Sequence, residues 1–112
     1  MQDSRYDNAT LEHIIDQATI YQCACPAQVA RQMLTLRDVM AYEAQCLSRP
    51  DDALAETHRL IAQAAADAHQ IMETCLEKVI DIEGWDRSNF TMPPALRERQ
   101  REEVARWLGK TS

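Results

Sequence analysis

The side chains with the most chemical promise in this chain carry sulfur. Cys23 and Cys25 flank one alanine in "YQCACPAQVARQ", residues 21–32, and Pro26 follows at once. Met72 and Cys75 stand further along, about one helical turn apart. Thiolates and a thioether are soft ligands that suit Cu(I) or Zn, so Cys23, Cys25, Cys75 and Met72 form the candidate metal set. A structural zinc site takes four ligands, usually from cysteines with two residues between them, and this set lacks that pattern. Cys25 also reads as the N-cap of a helix that opens at Pro26, where the helix dipole stabilises a thiolate and favours redox reactivity. The third role is structural, because cysteine behaves as a small, readily buried hydrophobe. On the residues alone the three roles stay open.

The histidines and carboxylates offer less. His58 and His69 are eleven residues apart, nearly on one helix face but ~16 Å apart along it, so they cannot share a metal ion. Paired Glu-x-x-His motifs of a di-iron bundle are missing, since alanine occupies positions 55 and 66. The carboxylates spread along helix faces, several with arginine at helical spacing, as solvated surfaces do. No Ser-His-Asp set or glycine-rich phosphate loop is present, and the two glycines leave little freedom to shape a pocket. The chain therefore reads as a binding protein rather than an enzyme. Around His58, "ETHRLIAQAA" is similar over five residues to the phosphoacceptor stretch of histidine phosphotransfer domains, matching at His58 and Leu60. Ile61 and Ala62 stand where that family has lysine and glycine, and His58 falls on an apolar seam, so membership is not implied.

The elements that must position these groups are helical. No glycine precedes Gly84, no segment alternates as a strand does, and prolines 26, 50 and 93 suit first turns. Periodicity predicts helices over 9–22, 26–47 and 51–81, then an aromatic loop over 83–92 and an amphipathic helix over 93–109. Asp7 or Asn8 can cap the first, and Asp51, Asp52 and Glu56 suit the start of the third. The third reads as a heptad, with Leu54, Ile61, Ala68, Cys75 and Ile82 as one seam line and His58, Ala65, Met72 and Val79 as its companion. The expected fold is all-α: one domain over residues 1–112, a small antiparallel bundle of three main helices plus the C-terminal amphipathic helix. A hairpin turning near Arg49 would bring Cys23 and Cys25 to the same end as Cys75, with Cys46 at the other end.

Composition bounds the function. The net charge is −6, and residues 1–92 carry seven basic against fifteen acidic side chains. Phosphate binding needs the opposite field, so no nucleic-acid partner is expected. No apolar run reaches the ~18 residues of a membrane span, and the first twenty residues lack the pattern of a signal peptide. A cytoplasmic location with reduced thiols is the expectation, with no membrane partner. Because the short first helix leaves part of the third uncovered, homodimerisation is the expected remedy. Trp85, Phe90, Met92, Val104, Trp107 and Leu108 are the candidate interface residues, for a second copy or another protein. The function expected is a non-enzymatic accessory or regulatory interaction protein acting through helix faces. The alternative is a thiol-dependent protein handling Cu(I), Zn or a redox equivalent through Cys23, Cys25 and Cys75. No organic cofactor is expected; a metal is the one cofactor the sulfur set would take.

Overall fold

A computed structural model describes residues 5–20, 24–93, 98, 102, 105, 106 and 108. The three helices among them are α1 (Asn8–Ile20), α2 (Ala24–Leu47) and α3 (Ala55–Glu83), and there are no strands among the described residues. Of the helix expected over 93–109, only residues 93, 98, 102, 105, 106 and 108 are among them.

α1 begins where its capping chemistry dictates. The Asp7 carboxylate accepts from the Thr10 backbone N–H at 2.7 Å, three residues on, as an N-cap side chain does. Tyr6 just before the cap and Leu11 one turn inside are both fully buried, the arrangement of a hydrophobic staple. α2 starts at Ala24 rather than at Pro26, so Pro26 sits inside the first turn, where its missing N–H costs nothing. α3 starts at Ala55, four residues later than expected. The reason is Asp52: its Oδ1 accepts from Leu54 N at 3.0 Å and its Oδ2 lies 2.7 Å from His58 Nδ1. The acidic pair thus belongs to the approach to the helix, and Pro50 sits in the turn.

α3 stops at Gly84, whose φ of 75° is left-handed. The Gly84 N–H reaches Ile80 O at 2.9 Å and Asp81 O at 3.2 Å, and Trp85 N–H reaches Ile80 O at 3.1 Å. This is a Schellman stop, with the accompanying apolar pair supplied by Trp85 and Ile80. The chain then turns back through a bridge between Asp86 and Thr91, with Phe90 at a φ of 52°. Phe90 meets the Tyr6 ring edge-on at 5.7 Å between centroids, a favoured aromatic geometry.

α2 packs against both α1 and α3. Asn8 at the start of α1 touches Arg37 of α2, so α1 lies beside the first half of α2 only. The core accordingly gathers at one end. It comprises Leu11, Ile14 and Ala18 of α1, Ala27, Ala30 and Met33 of α2, and Leu76 and Ile80 of α3. Tyr6, Trp85 and Met92 close it. Beyond Met33 and Leu76, toward the α2–α3 turn, the buried side chains are Glu43, Cys46, Ala65 and His69. The extents of 65 × 31 × 19 Å and the radius of gyration of 18.4 Å exceed the ~13 Å of a compact domain of this length. Among the described residues, half of the helical hairpin has no third layer over it.

The heptad expectation is corrected in one respect. The buried groups of α3 are Ala65, His69, Leu76 and Ile80, on the side of the companion line, and Met72 packs partly against the core. The line Leu54, Ile61, Cys75, Ile82 faces outward instead. α3 carries two adjoining apolar stripes, and α2 covers only one.

Candidate functional site

Three groups of residues could carry function, and the sulfur set comes first. Cys25 is exposed in the first turn of α2, inside the helix and not at its cap. Cys75 is exposed on the outer side of α3, Cys46 is buried near the turn, and Cys23 lies outside the described residues. The register of the hairpin also differs from the expected one. Arg37 Nε meets His69 Nε2 at 3.0 Å; counted twelve residues outward along each helix, Cys25 is level with Asp81 and not with Cys75. Six residues of helix separate the two levels, a rise of ~9 Å. Among the described residues no three histidine, cysteine or carboxylate side chains gather as a metal site.

The second group is a polar network that ties the N-terminal segment to the hairpin. Arg37 donates from Nε to His69, from Nη1 to Asn8 Oδ1 at 2.6 Å and from Nη2 to the Tyr6 carbonyl at 2.5 Å. Since the guanidinium can only donate, His69 Nε2 must be the bare nitrogen and Nδ1 carries the proton, 4.0 Å from Glu73 Oε2. Burial, and then the positive charge of Arg37, hold the His69 pKa below its ordinary value. The Tyr6 hydroxyl donates to Glu77 Oε1. Burial first and the Glu77 carboxylate second push the Tyr6 phenol pKa up, while the same hydrogen bond holds Glu77 low. Arg87 bridges Glu77 at 3.2 Å and Asp81 at 2.6 Å, and Arg5 adds a 3.2 Å ion pair to Glu77.

Each titratable group of that network faces another of its members, and the arrangement works as a strut. It joins the residues before α1 to α2, to α3 and to the loop after α3. His58 is likewise engaged, half-buried against Asp52, whose carboxyl it holds below the usual range. Tyr6 and Arg37 were not singled out from the sequence. The signal for Tyr6 was there to be read, in an aromatic placed one residue before a capping Asp7.

The candidate interface residues divide. Trp85 and Met92 are fully inside the core, and Phe90 is half-buried against Tyr6. Trp85 Nε1 donates to Glu83 at 2.7 Å, and Met92 N reaches Gln17 Oε1 of α1 at 3.4 Å. These three serve contacts within the chain, where they strap α1 to the end of α3, and are not an outward surface. Leu108 is exposed, and Val104 and Trp107 lie outside the described residues.

The third group is the outward line of α3. Leu54 is 60% exposed, Ile71 66% and Ile82 83%, with Leu60 and Ile61 also open. No helix among the described residues is long and apolar enough to cross a membrane. Comparisons with protein-family models, with curated proteins and with solved structures find no match to this chain.

Proposed function

We propose that this chain is a non-enzymatic accessory or regulatory interaction protein: an antiparallel helical bundle with an amphipathic C-terminal helix, acting through its helix faces as a homodimer. One observation carries the reading, the apolar line that α3 leaves open along its length. Contiguous exposed apolar surface of this kind is the mark of an association site. The engagement of Tyr6, Arg37, His69, Glu77 and Arg87 with one another supports it, since groups committed as struts are not free for acid–base chemistry. Light scattering across a dilution series tests it. The expected mass is twice that of the chain at high concentration, falling on dilution; a monomer at every concentration removes the homodimer.

The exposure of Cys25 and Cys75 favours one further reading, thiol-dependent handling of Cu(I), Zn or a redox equivalent through Cys23, Cys25 and Cys75, with Cys25 and Cys75 acting from different levels of the hairpin and not as one ligand set. Metal content of the purified protein and thiol titration under native conditions test it. Absence of bound metal together with slow native titration removes it.

A further inference from the structure

We propose that a second copy of this chain seats antiparallel along the outer line of α3, with the two-fold axis at Ala66. The inference rests on the homodimer reading above and assigns its surface.

The residues on that line follow a strict alternation of three and four: Leu54, Ile61, Ala68, Ile71, Cys75 and Ile82, with Thr57, Ala64 and Lys78 completing the pattern. This is the spacing that keeps one stripe facing a neighbouring helix. α2 and α1 do not cover it, and the exposure runs from Leu54 to Ile82. It therefore spans both the well-packed end of the molecule and the end that has no third layer among the described residues. A helix of 29 residues is ~43 Å long and ~10–12 Å across, a strip of about 500 Å² in projection. The accessible area of an interdigitated surface is larger than its projection, which brings each copy to the order of the ~800 Å² of a standard interface.

Charge and side-chain size select the antiparallel orientation. Lys78 is the one charged residue on the line, and a parallel pair would set it against the partner's Lys78. Run antiparallel about Ala66, its stem lies over the partner's Leu54 and its ammonium meets the acidic start of that helix, Asp51 and Glu56 of the partner subunit. The opposed helix dipoles add to the preference. In the same register Ala64 faces the partner's Ala68, so the helices approach to the lower end of the ~8–10 Å range. Ile61 packs on the partner's Ile71 on each side of that small-residue centre. Such an arrangement closes on itself as a two-fold pair and leaves no repeating surface for fibres.

Ile71→Glu and Thr57→Cys, both at exposed positions of α3, test the surface. Ile71→Glu removes an apolar layer twice per dimer, and at ~1.5 kcal/mol per layer self-association should weaken at least ~100-fold, with circular dichroism unchanged. For orientation, Thr57→Cys is made in a chain whose Cys23, Cys25 and Cys46 are serine, so that it faces Cys75 of the partner subunit. Mild oxidation should give a covalent dimer, whereas the same chain without Thr57→Cys should give none, its two Cys75 sulfurs being ~27 Å apart. A dimeric Ile71→Glu chain of undiminished affinity overturns this face and leaves the homodimer standing. A disulfide between two Cys75 residues overturns the orientation. A wild-type monomer at every concentration removes both proposals. If that monomer also loses stability when the chain is cut after Pro93, its own C-terminal segment covers the line.

Discussion

Arg37 holds His69 by its bare ring nitrogen, Nε to Nε2 at 3.0 Å, while the other two arms of the guanidinium hold Asn8 and the Tyr6 carbonyl. One side chain thus sets the register of α2 on α3 and fastens the residues before α1 to both. Hydrogen bonds to a charged group are stronger than neutral ones, and here three of them, two half-buried and one exposed, converge where the core ends. Arg37→Met keeps most of the stem and removes the fork. The expected loss is on the order of 2 kcal/mol, read as a lower urea midpoint, with Tyr6 and Phe90 resonances moving together. An unchanged midpoint would show that the fork is ornamental.

Acid should loosen the same end in two stages. His69 is neutral in the fold and its pKa is depressed below 6.5 by burial. The unfolded chain therefore binds its proton first, and stability falls as the pH drops below about 6.5, until the folded pKa is passed. Glu77 is depressed below 4.5 by the Tyr6 hydrogen bond and by Arg87, so the second loss begins below about 4.5. Urea unfolding at a series of pH values should show both. His69→Gln should erase the first stage and leave the second.

Glu43 is only 5% exposed, and its Oε2 has no hydrogen-bond partner among the described residues. Burying an oxygen in this way costs about 1–3 kcal/mol, and an apolar residue of similar volume avoids that cost. Glu43→Met should therefore stabilise by about 1 kcal/mol or more. In a chain of this size that raises the melting temperature by roughly 4–8 °C. A fall in melting temperature would mean that the carboxylate has an important role in the fold.

Gly84 stands in the left-handed region with open space where a Cβ would go. The cost of a side chain there is conformational and not steric. Gly84→Ala should destabilise by about 1–2 kcal/mol, and Gly84→Asn by less, since asparagine tolerates this region. Equal effects of the two would show that the Schellman stop is not what holds Trp85 against Ile80.

Much of the architecture was legible in the residues, and the limits have physical reasons. The three helices appear in order and near their expected ends, because apolar periodicity and the breaks at the prolines and Gly84 speak plainly. The start of α3 shifted because Asp51 and Asp52 suit a first turn and an approach to one equally well; the bond from Asp52 to His58 decides. Which side of α3 is buried could not be read, since two apolar lines adjoin on it. The choice depends on α2, and it sends Cys75 outward and His69 inward. The expected turn at Arg49 set the hairpin register too tight, which is why Cys25 and Cys75 do not come level. Trp85, Phe90 and Met92 are apolar loop residues that could serve a core or a partner, and here they serve the core. The network of Tyr6, Arg37 and His69 joins residues far apart in the chain, and no local pattern announces such a meeting.

The shortness of α1 has a mechanical consequence. Local opening should begin in the stretch from residue 38 to residue 68, where few groups are sheltered, while the end gripped by Tyr6 stays shut. Amide exchange would then be graded along one and the same helix, quick near the hairpin tip and slow near Leu76, and a docked second copy would flatten that gradient.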